Sequence, residues 1–435
     1  MVKNLNIEFS QKPVSPWGGM KLMKELVDRS GILEYMAKLD LPWPDSNRGY
    51  NPIDVISAFW VNTWIGAQNF SHCHWIRNDD VLKEIFGWTK TPSQSTYSRF
   101  FQRFSWKRNN AVFEPLQQWF MDQLQVDNIT LDLDSSVITR YGKQEGAHTG
   151  YNPAKQGRVS HHPLMAFMGQ MRMVVNSWLR SGDAHDKNNY HNFLDETLRI
   201  VGNKKVGLVR LDSGFYATDV LEDLEARSLN YITAVKLYDP IKKLLRGTQN
   251  WRVLDDGLQV CEFPWQMPGW KKARRFVAIR KNIRNFPRSG GKELFPEQYQ
   301  TWRYSVFVTN MDLPAEEVCR TYWNRGDSEN RIKELKQDFG LDSYSLNDFW
   351  GTEAAQRFMM VAYNLMSVFR QAVLKSPKQA FLRTIRFKCY AIGSWITKRG
   401  GTKTLNLSIT KDKVQWMEGL FSKVQSASPP YKHYI

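Results

Sequence analysis

The chain has 435 residues, room for about two to four structural units at roughly 150 residues each, and with 42% hydrophobic against 24% charged residues it should bury a core, which excludes a disordered chain. Lys and Arg number 60 against 43 Asp and Glu, a formal charge of +17 that favours a polyanionic partner, nucleic acid ahead of a membrane surface. Cys73, Cys261, Cys319 and Cys389 lie far apart without a Cys-x-x-Cys pair, which argues against a disulfide framework or zinc ribbon and for a reducing compartment. Residues 1–19 lack the apolar core of a signal peptide, and the apolar stretch from Phe358 to Leu374 is broken by Asn364, Ser367, Arg370 and Gln371. A soluble, cytoplasmic protein with no membrane span is expected.

Residues 1–125 read as helices. Asn51-Pro52 is a cap followed by a proline at the first helical position, and Ile53, Ile56, Phe59 and Trp60 follow at helical spacing. A short helix from Asp79 to Phe86 stops at Gly87, and Pro92-Ser93 opens another with Tyr97, Phe100, Phe101 and Phe104 on one face. Helix, glycine turn, helix suggests a DNA-reading pair with Ser95, Ser98, Arg99 and Arg103 outward; the alternative is an ordinary helical hairpin. His72-Cys73-His74 reads as structural, since three consecutive residues do not readily wrap one tetrahedral ion.

Residues 126–235 change to strands alternating with helices. Ile129 to Asp134 alternates, Leu164 to Val175 is extended, and Val206 to Leu211 and Tyr231 to Val235 are further strands, with helices over Tyr190 to Val201 and Thr218 to Arg227. This pattern predicts an α/β mixed sheet. Residues 236–305 look like a β-rich insertion, with Trp251, Trp265, Trp270 and Trp302 among prolines and glycines and 15 Lys/Arg against 6 Asp/Glu, a net +9. The core resumes over residues 306–345, where Pro314 begins a long helix to about Phe339. Residues 346–435 read as a helical tail.

Asp134 and Asp212 each end a predicted strand, the edge of an α/β sheet where ligands bind. A lone aspartate there is often only a turn or helix cap. Asp132 shares the face of Asp134 and is its rival; the strand-end position favours Asp134. Tyr322, Arg325, Glu329 and Lys336 fall within about 60° of one face of the long helix, read either as a solvated stripe with an ion pair or as a phosphate-binding surface around an acid. Three such carboxylates can hold two Mg²⁺ ions through oxygen and drive in-line displacement at phosphorus without a protein nucleophile.

These residues resemble the DDE transposases of bacterial insertion sequences that carry a Tyr-x2-Arg-x3-Glu-x6-Lys signature. Tyr322, Arg325, Glu329 and Lys336 keep that spacing; Leu131-Asp132-Leu133-Asp134-Ser135-Ser136 and Arg210-Leu211-Asp212-Ser213-Gly214-Phe215 are similar to the two aspartate motifs. Gly150 to Pro163 is similar to a segment found in one branch of these enzymes. The resemblance implies an α/β, ribonuclease-H-like mixed sheet core with a β-rich insertion, flanked by a helical DNA-binding N-terminal region and a helical C-terminal region used in dimerisation. It implies that Asp134, Asp212 and Glu329 are catalytic metal ligands for two Mg²⁺ ions, with Mn²⁺ as a substitute. Tyr322, Arg325 and Lys336, with Lys333, would hold DNA phosphates; Lys155, Arg158, His161, His162 and Arg99 are further DNA-contact candidates. An aromatic residue of the insertion would stack on a flipped base, with Trp302 first and Tyr304, Trp265 and Trp270 behind. The expected partners are double-stranded DNA, both terminal inverted repeats and target, and a second copy of the chain in a nucleoid-bound homodimer. The alternatives are an inactive or domesticated DNA-binding relative, and a glycosidase using two of the acids. The charge of +17 and the cations around Glu329 fit the glycosidase poorly.

Overall fold

The computed structural model describes residues 6–46, 48–185, 187–282, 302–376 and 379–432. The chain divides into a sheet unit, Val126–Tyr141 with Gly146–Ile332, and a helical unit, Met1–Gln125 with Gly142–Glu145 and Lys333–Ile435.

The sheet unit is built on nine strands: β1 Asn128–Ser135, β2 Leu164–Met168, β3 Met173–Trp178, β4 Lys205–Leu211, β5 Tyr231–Ala234, β6 Arg252–Asp255, β7 Leu258–Trp265, β8 Arg274–Asn282 and β9 Trp302–Thr309. Their order across the sheet is β6-β7-β8-β9-β5-β4-β1-β2-β3. β3, β2 and β1 are antiparallel neighbours, whereas β1, β4 and β5 run parallel. Parallel neighbours need crossovers, which the helices Tyr190–Val201 and Thr218–Ala226 supply. Three antiparallel strands continued by two parallel ones form the ribonuclease-H-like core expected from the resemblance.

Strand β1 is central, so both its faces are covered. Ile129, Leu131 and Leu133 are fully buried on one side, and Asp132 and Asp134 are buried on the other. At Gly207 of β4 a Cβ would lie 2.0 Å from Asn128 Oδ1, so any larger residue there would displace that side chain.

In and beside this sheet two segments differ from the sequence reading, residues 164–175 and the long helix. Leu164 to Val175 is not one extended run: the chain reverses between β2 and β3 through Gly169-Gln170, with Arg172 at φ 50°. The strands at 252–282 belong to the expected β-rich insertion, and they hydrogen-bond onward from β9, which is antiparallel to β5. Val260, Val277, Ile279 and Phe307 share a core with Leu208 and Ile232, and that shared apolar surface makes the extension one sheet with the parallel strands. The long helix is two, Ala315–Trp323 and Gly326–Gln337. Between them Arg325 N–H donates to Tyr322 O and Ser328 N–H to Arg325 O, both at 2.8 Å and both i to i−3, so the chain tightens where Arg325 turns inward.

In the helical unit, Asn51 caps the helix Pro52–Ile65 by accepting from Ile53 N–H at 2.9 Å. Trp60 and Trp64 donate from this helix to the carbonyls of Phe358 and Ala362 on the buried helix Phe349–Val368, at 2.9 and 3.1 Å. The helices Asp80–Phe86 and Gln94–Phe101 form where expected, capped by Asp79 and Ser93. They are anchored to different neighbours. Tyr97 and Phe101 pack on Phe59, whereas Glu84 of the first helix binds Lys403 and Asp79 accepts from Ser15. The tail is not wholly helical: Gly393–Arg399 and Thr402–Ser408 make an antiparallel hairpin turning at Gly400-Gly401, both with positive φ.

Candidate active site

Leu133 of β1 pairs with Leu211 of the parallel β4, so Asp134 and Asp212 are the next residues on neighbouring strands at one end of the sheet. Asp134 is buried; its Oδ2 lies 3.0 Å from Arg325 Nη2, and its Oδ1 accepts from Ser135 N–H at 2.9 Å. Burial pushes its carboxyl up to about 7. Arg325 pulls the other way, and Asp212 and Glu329 push it further up, so all three acids are electrostatically coupled. Asp212 also caps the turn Ser213–Phe215, accepting from Gly214 N–H at 2.9 Å. Glu329 is exposed in the first turn of the helix Gly326–Gln337.

The rival Asp132 has a different environment. It faces its direct β4 partner Arg210, which binds both oxygens at 2.5 and 2.8 Å, and Ser328 Oγ donates to it at 2.7 Å. Arg210 also donates to Thr321 O at 2.6 Å. Asp132 thus fastens the two strands to the helical segment that carries Glu329. Sequence reasoning missed Arg210 and Ser328; the available signal was an arginine in an otherwise apolar central strand, opposite an aspartate.

The stripe Tyr322, Arg325, Glu329, Lys336 is divided by the helix break. Tyr322 is half-buried, packs 4.4 Å from Phe307 by ring centres, and donates to Leu211 O at 3.2 Å; burial, offset by Arg325 and reinforced by the three acids, pushes its hydroxyl up to about 12. Arg325 is buried, donates to Leu133 O at 3.2 Å, and its pKa is raised despite the burial because Asp134 lies beside it. Lys333 is exposed and Lys336 half-buried, one and two turns beyond Glu329.

The remaining candidates are distributed. His161 and His162 are buried: His161 Nδ1 accepts from Arg140 at 3.0 Å, and His162 Nδ1 lies 2.8 Å from Ala184 O. Lys155 and Arg158 are exposed beside the Tyr141 ring. In the helical unit Arg99 is exposed, with Nε donating to its own helix at Ser95 O, and Arg103 is tied to the carbonyls of Pro42 and Trp43. Trp302 opens β9, whose register places it at the acid-bearing end of the sheet, roughly 17 Å along the strand from Phe307, the partner of Ala234. Its half-buried ring carries the Arg280 guanidinium at 4.4 Å, which also lies 4.2 Å from Trp251. Tyr304 is 5.9 Å from Trp251, Trp270 is buried against Phe276, and Trp265 packs edge-on to Phe276.

The donor chemistry suits a hard divalent cation: Asp212 and Glu329 raise the proton affinity of the buried Asp134, a repulsion that positive charge would relieve. The enclosure itself is not formed, since among the described residues no three His, Cys, Asp or Glu side chains are grouped closely enough to hold an ion.

A family model described as Transposase DDE domain group 1 matches residues 1–429, and the chain belongs to that family. It is a transposase of the DDE class, a class that generally uses divalent metal ions. Among solved structures, the chain is similar to one described as a cryo-EM structure of the piggyBac transposase synaptic complex with hairpin DNA, at 11% identity and a TM-score of 0.43, over 87% of this chain and 81% of that one. No match was found among curated proteins. Among the described residues no helix is long and apolar enough to cross a membrane.

Proposed function

We propose that the chain is a cut-and-paste DNA transposase that cuts at the inverted repeats ending its own element and joins them to target DNA, acting as a homodimer. Asp134, Asp212 and Glu329 would hold two Mg²⁺ ions, with Mn²⁺ able to substitute. The observation that carries this reading is the coupling of three acids from β1, β4 and the helix Gly326–Gln337, with Asp134 buried and its proton affinity raised. Held by these three carboxylates, such ions would supply positive charge for activating the attacking oxygen and stabilising the leaving one at phosphorus.

The chain's own residues orient this site. Arg325 grips one oxygen of Asp134 and the preceding carbonyl of β1, which fixes the direction of the carboxylate. Tyr322 does the same for the end of β4 through Leu211 O, one residue before Asp212. Lys333 and Lys336, with Lys155, Arg158 and Arg99, supply positive charge for DNA phosphates, and residues 1–125 and 346–435 supply further DNA and dimer contacts.

The test is cleavage of a supercoiled plasmid carrying the DNA that flanks this gene, with Mg²⁺ and with EDTA. Nicking and linearisation with Mg²⁺ alone support the reading. A second reading, a relative that binds DNA without cutting it, is favoured by one observation: the Arg325 guanidinium already occupies Asp134 Oδ2. Tight binding without cleavage under either divalent ion would select it.

A further inference from the structure

The geometry points to a nucleotide-binding platform at Tyr141, on the excursion between β1 and β2, which takes an unpaired DNA base on the phenol ring and its phosphate on Lys155 and Arg158. It rests on the transposase reading and adds a contact for single-stranded DNA. Aromatic side chains ordinarily bury their rings, yet Tyr141 is 69% exposed and Tyr151, on the same excursion, 74%. Tyr141 is also not an unconstrained surface residue. Lys155 Nζ donates to its hydroxyl at 2.5 Å and lies 5.1 Å from the ring centre, and the Arg158 guanidinium lies 6.0 Å from that centre.

The backbone holds this group ready. Ile138–Thr139 and His148–Thr149 both pair with Val159–His161 in a small antiparallel sheet, and Arg140 N–H donates to Val159 O at 2.9 Å. Asn152, 4% exposed, donates from Nδ2 to Thr139 Oγ1 and accepts Lys155 N–H at Oδ1, both at 3.0 Å. That buried amide ties the Lys155 loop to the strand leading to Tyr141. Ser136 N–H donates to Pro163 O at 3.1 Å, closing the excursion at its base two residues after Asp134. A ring open to solvent with two cations at its border matches a nucleotide: the base offers a π face to the phenol and the phosphate offers charge to the cations. Stacking tolerates any base, so the platform recognises a strand that is unpaired and not a sequence.

The probes are a blunt duplex and the same duplex with a six-nucleotide thymine tail carrying 2-aminopurine, titrated with the full chain in EDTA so that no cleavage intervenes. Wild type should bind the tailed probe about fivefold to a hundredfold more tightly than the blunt one and quench the 2-aminopurine. Tyr141→Ala should abolish both the preference and the quench, and Tyr141→Phe should keep them. Lys155→Ala and Arg158→Ala should each lower the salt slope for the tailed probe by about one contact. An unchanged preference in a Tyr141→Ala protein with wild-type circular dichroism overturns the platform. Equal loss in Tyr141→Phe overturns it as well, because the hydroxyl contact to Lys155 would then be what matters. If wild type binds neither probe, the transposase reading falls and the platform with it; tailed-probe binding that ignores Tyr141 removes the platform alone.

Discussion

The helical unit and the sheet unit each bury a carboxylate against an arginine, and the surroundings of the two pairs differ. Glu334, 1% exposed, receives Arg370 and Leu382 N–H on one oxygen and Gln379 on the other. Every partner among these is a donor. Asp134 receives Arg325 and Ser135 N–H but also faces Asp212 and Glu329, and its carboxyl is driven up to about 7 by burial first. Donor-surrounded burial makes a structural fastener, whereas the residual negative charge around Asp134 is what the proposed cation would relieve. Asp132, two residues before Asp134, belongs with Glu334: Arg210 and Ser328 saturate it.

Breaking a fastener should have the largest effect on stability. Asp132→Ala leaves Arg210 buried without its partner, and Glu334→Ala does the same to Arg370; each should cost about 3–5 kcal/mol in denaturant unfolding. Loss of under about 1 kcal/mol in both would erase the distinction. The pH dependence sharpens the contrast. The folded pKa of Asp134, about 7, lies above the unfolded value of about 3.9, so between these values the folded state holds more protons. In metal-free buffer this carboxyl therefore makes its full contribution below pH 4, and stability is lost as pH rises towards 7, by a few kcal/mol at most. Asp134→Asn should flatten that slope, read from urea midpoints at pH 5 and pH 7.5; a slope identical to wild type would remove the coupling of the acids.

Surface charge gives the smallest effects. Lys333→Ala or Lys336→Ala should leave unfolding within about 0.5 kcal/mol of wild type and reduce the salt slope of DNA binding by about one unit each. An unchanged slope would return those lysines to a solvated helix face.

Much of this arrangement was legible in the residues, and the exceptions have physical reasons. Alternation around Leu131 and Leu133 and the strand-end aspartates gave β1, β4 and the acid-bearing edge, because period-2 burial and strand termination are local. The strand-end position favoured Asp134 over Asp132, but the tie that occupies Asp132 was hidden, since it comes from Arg210, 78 positions away. The break between Tyr322 and Ser328 was hidden because helical periodicity runs through it, and the inward pull on Arg325 comes from β1. The extension of the sheet by β6 to β8 depends on nonlocal pairing through β9 that no local pattern encodes. The hairpin 393–408 did leave a signal: Gly400-Gly401 between alternating segments marks a two-residue turn.

The proposed divalent-ion site of Asp134, Asp212 and Glu329 stands or falls on DNA cleavage. Its most direct test is Mg²⁺-dependent nicking of a supercoiled plasmid bearing the gene's own flanks, compared among wild type, Asp134→Ala, Asp212→Ala and Glu329→Ala, each first shown to be folded and to bind that DNA. Wild type should nick with Mg²⁺ and stop in EDTA, and every variant should lose at least about a hundredfold with binding retained; nicking that persists in EDTA, or in any of the three variants, would rule the site out.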